Sequence, residues 1–143
     1  MADEAESNGE NQWIQLELTN RMRKNNLEVK SAWLKFGKFY KGSKDKEISG
    51  DEVNRIVIPP GSMDKVNACG RLASPSGTQG SIDLYDGSTR ICTVAWDCPW
   101  GSSDNDLTLN NYDPGTSEYS VSLSDWAKGG PIGRVTAIVS IMG

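Results

Sequence analysis

Two tryptophans four residues apart bracket the segment Trp96-Asp97-Cys98-Pro99-Trp100-Gly101-Ser102. The chemistry such a segment offers is apolar recognition rather than bond-making. Trp96 ends a strand-like run from Arg90. Pro99 fixes φ and cannot donate to a ladder, so the strand stops there and Trp100 sits on a turn. A tryptophan on a turn either folds back onto the body or meets something apolar outside it. Bond-making groups are scarce. The chain has no histidine, which removes the commonest general base and metal ligand and any Ser–His or Cys–His pair. Asp83, Tyr85 and Asp97 form a polar set with no base or metal beside them, and read as turn and loop hydrogen-bonders. The reading is therefore not an enzyme, and no cofactor is expected.

The remaining candidate clusters resolve to structure. Three cysteines, Cys69, Cys92 and Cys98, leave at least one unpaired and include no Cys-x-x-Cys pair for zinc. They read as small buried hydrophobes, with a Cys69–Cys98 disulfide as the alternative. Asp104-Asn105-Asp106 lacks the glycine and distal glutamate of a calcium loop. Ser74 to Gly80 lacks the Gly-Lys-Ser/Thr of a phosphate loop. Six lysines between Lys30 and Lys46 interleave with Trp33, Phe36, Phe39 and Tyr40. Asp45 and Glu47 dilute them, so they read as a solvated face rather than a nucleic-acid surface.

The elements that must position these residues are strands. Ile14, Leu16 and Leu18 share one face, and Trp13, Gln15, Glu17 and Thr19 the other, which puts Trp13 near the surface. Alternation groups Ala32, Leu34 and Phe36 against Ser31, Trp33 and Lys35, which assigns Phe36 to the core side. Further sets are Cys92, Val94 and Trp96; Tyr119, Val121 and Leu123; and Val135, Ala137, Val139 and Ile141. Turn chemistry separates them at Pro59-Pro60-Gly61, Ser76-Gly77, Asp86-Gly87, Asp113-Pro114-Gly115 and Gly129-Gly130. Asp86-Gly87 marks the clearest hairpin. Many short strands with little helix predict an all-β chain, a single antiparallel β-sandwich over residues 12–143.

Residues 1–11 hold Asp3, Glu4, Glu6 and Glu10 and no base, and read as an acidic disordered tail. Setting those four aside leaves 15 acidic against 15 basic residues. A charge-balanced body does not attract nucleic acid or anionic lipid at long range; a neutral or zwitterionic partner suits it better. The N-terminus lacks the pattern of a cleaved secretory signal. The expected location is cytoplasmic in the producer, or release by a route without one.

Three blocks then stand together: Asn67-Ala68-Cys69-Gly70-Arg71, Ile82-Asp83-Leu84-Tyr85-Asp86-Gly87, and Trp96 to Ser102. In order and spacing they resemble the aegerolysins. Phe36-Gly37-Lys38, Lys44-Asp45-Lys46-Glu47-Ile48 and Gly130-Pro131-Ile132-Gly133 extend the likeness to residues 12–143. The resemblance implies a β-sandwich of the aegerolysin and actinoporin-like kind that binds a membrane sphingolipid, either ceramide phosphoethanolamine or sphingomyelin with cholesterol. It also implies a larger perforin-like partner, carrying a membrane-attack-complex domain, that makes the pore; oligomers would fit this scheme. The acidic tail looks like that of a bacterial member, similar to the small half of a two-part insecticidal toxin.

Position by position, the family's lipid-binding Gln-Trp matches Gln12-Trp13, its Trp-Gly-Lys matches Phe36-Gly37-Lys38, and its loop tryptophan matches Trp100. Two positions depart. Ser76 stands where some members carry a glutamate, and Ser103 where several carry a base. Those departures turn the expectation toward ceramide phosphoethanolamine. The competing class is a soluble carbohydrate-binding module, since surface tryptophans also stack on sugar rings. A third is an intracellular structural protein whose tryptophans are all core.

Overall fold

Strict alternation builds the first strand. In the computed structural model, which describes residues 8–101 and 104–142, β1 (Trp13–Asn20) turns Ile14, Leu16 and Leu18 into the core and leaves Trp13, Gln15, Glu17 and Thr19 half-buried outside. The strands that follow are β2 (Leu27–Phe36), β3 (Lys38–Tyr40), β4 (Glu47–Ile48), β5 (Val57–Ile58), β6 (Met63–Cys69), β7 (Thr78–Asp86), β8 (Thr89–Cys98), β9 (Asp106–Asn110), β10 (Tyr119–Leu123) and β11 (Gly133–Ile141). One short helix, α1 (Gly50–Val53), interrupts them. Ser49 caps it by accepting the Glu52 N–H, and Asp51 and Glu52 suit the positive end of its dipole.

Two sheets pack face to face, in the orders β10-β11-β1-β6-β3-β4 and β5-β2-β7-β8-β9. Their inner faces meet in one core, with Ile14, Leu16 and Leu18 from the first sheet and Ile82, Leu84 and Val94 from the second. Trp96 lies in this core. Its ring meets Phe39 edge-on at 6.3 Å between centroids, and its indole N–H donates to Thr78 Oγ1 at 3.1 Å. An edge contact of this kind adds about 0.5–1.5 kcal/mol beyond the burial itself.

The all-β sandwich is as the sequence implies, and three details differ. The pairing of β1 with β11 is parallel, Leu16 opposite Val135, inside an otherwise antiparallel arrangement. The ordered chain begins before Gln12: Gly9–Asn11 form a 3-10 turn capped by Asn8, and Gly9 N–H donates to Arg71 O at 3.1 Å. Residues 1–7 lie outside the described chain. The alternation of β2 breaks between Leu34 and Phe36, which oppose Gly80 and Gln79. This bulge turns Phe36 outward, 48% exposed, instead of into the core beside Leu34.

The cysteines follow the first of their two sequence readings, and the alternative disulfide is not formed. All three are buried free thiols, and Cys69 and Cys98 are not bridged. They sit on different sheets, and the Cys98 thiol donates instead to Gly130 O at 3.5 Å. Burial pushes Cys69 and Cys98 up to about 11 and Cys92 up to about 12, so all three stay protonated at neutral pH. Among the described residues no helix is long and apolar enough to cross a membrane.

Candidate functional site

Three chain segments meet at one end of the sandwich: the end of β2, the link from β6 to β7, and the turn after β8. Between them lies an open cleft of about 430 Å³. Phe36 forms one wall, Pro75 and Ser76 a second, and Pro99 and Trp100 a third, with Gln79 and Asp97 at the side. Two glycines set the approach of these segments. A Cβ on Gly77 would lie 1.8 Å from Cys98 O, so only glycine lets the two links close on each other. A Cβ on Gly9 would lie 2.2 Å from Ser76 O, so the N-terminal turn is seated directly on the link that carries Ser76.

Hydrogen bonds fix the Trp100 turn from behind. Gln12 is buried, and its side-chain amide donates to Pro99 O at 2.7 Å and to Gly130 O at 3.2 Å. Gly130 O also accepts from Asn105 Nδ2 at 2.9 Å, and Asn105 Nδ2 reaches Ala127 O at 2.9 Å. The Ser76 hydroxyl lies 2.9 Å from the Ser74 hydroxyl. Charges of both signs flank the opening. Asp97 lines the cleft, and the Lys35 ammonium lies 5.6 Å from the centre of the Phe36 ring.

Of the residues singled out in the sequence, Phe36, Ser76 and Trp100 are brought together here. Trp13 is not part of the cleft lining. Its half-buried ring lies on the outer face of β1, with the Lys44 ammonium 5.4 Å above it. Lys38 departs from expectation. It is 8% exposed and its ammonium pairs with Glu10 at 2.6 Å, so it holds the N-terminal turn instead of facing outward. Lys44 adds a second tie by donating to Glu10 O at 2.6 Å. Ser103 lies outside the described residues.

Sequence reasoning missed Glu10, Lys44 and Gln79, whose types are ordinary for a solvated surface. It also missed Leu72, 65% exposed in the Arg71–Ser76 link beside the cleft. A leucine between an arginine and an alanine in a turn is a legible signal: it has no core to serve.

The motif blocks and the two-sheet topology point to one family. An aegerolysin family model matches residues 11–141. The chain belongs to the aegerolysin family. Among its relatives is the Asp-hemolysin of Aspergillus fumigatus, 44% identical over 126 residues that cover 87% of this chain and 88% of that one. Among solved structures, IP-1A from Alcaligenes faecalis superposes with a TM-score of 0.85 at 30% identity, covering 100% of this chain and 99% of that one. The RahU protein, solved in complex with a TRIS molecule, gives 0.85 at 34% identity, with coverage of 94% and 98%. These relatives come from a fungus as well as a bacterium.

Proposed function

We propose that this aegerolysin is a membrane-lipid-binding, cytolysin-related protein whose cleft takes the head group of a sphingolipid. One observation carries the reading: Phe36 and Trp100 converge on an open cleft held rigidly by Gln12, on a body with balanced charge. Aromatic rings at such an edge favour the bilayer interface, and each contributes up to a few kcal/mol when its apolar face leaves water.

The charges support a zwitterionic head group. Lys35 is placed to meet a phosphate, and Asp97 with the Ser76 hydroxyl to meet an ammonium. A primary ammonium has three protons to donate to such acceptors and a quaternary one has none. Ceramide phosphoethanolamine is therefore favoured over sphingomyelin with cholesterol. The protein recognises the target membrane at its surface, and a larger perforin-like partner makes the pore, with insects as the target organisms.

Co-sedimentation with vesicles of phosphatidylcholine, sphingomyelin–cholesterol and ceramide phosphoethanolamine tests the reading. The expected result is pelleting with ceramide phosphoethanolamine, reduced about tenfold or more in Phe36→Ala and in Trp100→Ala. Equal pelleting with both sphingolipids would overturn the head-group assignment. Pelleting with neither would overturn lipid recognition itself.

A further inference from the structure

We propose that the outer face of the five-stranded sheet carries a second site, adjoining the lipid cleft, that binds a neutral pyranose sugar against Trp33. The register of the strands builds it. Trp33, Ser81, Ala95 and Thr108 stand side by side across β2, β7, β8 and β9, and Gln79, Asp97 and Asp106 form the next row. Small side chains in the first row leave a trough of about 360 Å³ between taller neighbours. Trp33 closes one end of it with its ring 54% exposed.

Two features of this face have no structural return. An outward tryptophan on a sheet gains little by packing and leaves a large apolar ring in water. Asp97 and Asp106 are directly opposed across β8 and β9, where like charges repel. Neither carboxylate forms an ion pair among the described residues, and no lysine or arginine lines the trough. Among the described residues the Asp106 side chain takes the N–H of the next residue, Leu107, at 3.0 Å.

A pyranose answers all of these at once. Its C–H face stacks on the indole ring, while its hydroxyls donate to the paired carboxylates. The Gln79 amide and the Ser81 and Thr108 hydroxyls supply donors in return. A metal ion fits poorly, because no group of three or more acidic or cysteine side chains converges anywhere among the described residues. An ammonium ion would use the Asp97–Asp106 end alone and leave Trp33 and the hydroxylated floor unexplained. The trough shares Gln79 and Asp97 with the lipid cleft, so a sugar borne on a lipid and a free sugar would present the same chemistry to it.

Titration of the folded protein with the methyl glycosides of glucose, galactose, mannose and N-acetylglucosamine, followed by the Trp33 indole N–H resonance, tests the site. At least one should give a saturable shift. Asp106→Asn should weaken it about tenfold, and Ala95→Tyr, which fills the floor, should abolish it. Trp100→Ala should leave it intact, because Trp100 does not line the trough. In a parallel arm, vesicles containing glucosylceramide or galactosylceramide are compared for wild type and Trp33→Ala, with thermal melts confirming that both fold. A Trp33-dependent response to vesicles alone would assign a lipid-borne sugar. No saturable shift with any glycoside together with vesicle binding indifferent to Trp33→Ala would overturn the proposal. So would a shift produced only by calcium chloride.

Discussion

The side-chain amide of Gln12 donates to the carbonyl oxygen of Pro99 at 2.7 Å, across 87 residues of sequence. The residue before the first core strand thereby holds the turn that presents Trp100. The adjacency of Gln12 and Trp13 in sequence is thus a mechanical link: one residue sits on the outer face of β1 and its neighbour reaches behind the cleft.

Gln12→Leu should therefore separate presentation from folding. It removes two hydrogen bonds and deprives Pro99 O of the Gln12 donor, while Gly130 O keeps Asn105 Nδ2, at a cost of about 1–3 kcal/mol. Vesicle binding should fall further than the loss of folded protein explains. Denaturant titration beside co-sedimentation at equal folded concentration checks this. Unchanged binding by a destabilised variant would show that the turn needs no such support.

Lys38 and Glu10 predict the reverse. Both are mostly buried, so Lys38→Met should destabilise by a few kcal/mol, because Glu10 is left without its partner. The double variant Lys38→Met with Glu10→Gln should recover a large share of that loss. Vesicle binding per folded molecule should not change in either. A selective loss of lipid binding in Lys38→Met, at unchanged stability, would return Lys38 to the lipid site.

Stability should be flat through neutral pH and fall on the alkaline side. Burial, first among the causes, raises Cys69 and Cys98 to about 11 and Cys92 to about 12 from an ordinary 9.0. It also raises Tyr40 and Tyr119 to about 12 from 10.0, with Asp86 adding to the rise at Tyr119. Above the unfolded values the folded state binds more protons than the unfolded one, so stability decreases as pH rises. The contribution is complete below about pH 9 and is lost progressively towards pH 12. Denaturation midpoints between pH 7 and pH 11 should show this slope, and Cys92→Val should flatten it. A midpoint that rises above pH 10 would contradict it.

Gly77→Ala should be among the most damaging single changes at the cleft. The added carbon meets Cys98 O at 1.8 Å, and neither partner is a flexible side-chain end. The two links must part, with a cost of about 1–3 kcal/mol or more and a large drop in melting temperature. A fully stable Gly77→Ala protein would mean that the links are not held as closely as described.

Much of this could be read in the sequence because β1, β7 and β8 alternate cleanly and Asp86-Gly87 supplies a turn that fits only a hairpin. Gly87 indeed has φ of +60°, and Asp86 pairs with Thr89. Phe36 was misplaced because a bulge moves one residue across the sheet without leaving a mark in the hydrophobic pattern. The parallel pairing of β1 with β11 was invisible for a similar reason: alternation gives faces but not directions. Glu10 looked like one more tail carboxylate, since nothing local reveals that Lys38, 28 residues on, is buried and waiting for it. Of the cleft, Phe36, Ser76 and Trp100 came from motif resemblance. Asp97 and Gln79 emerged only when β7 and β8 were seen side by side.

The parallel register of β1 with β11 also decides where a tether can be attached. Because the two strands run the same way, the chain leaves β11 at Ile141 on the side remote from Gln12 and Trp100. Nine residues of strand carry it roughly 30 Å away. A fluorophore, an affinity tag or a cargo domain joined after Ile141 would stand clear of a bilayer gripped by the aromatic edge.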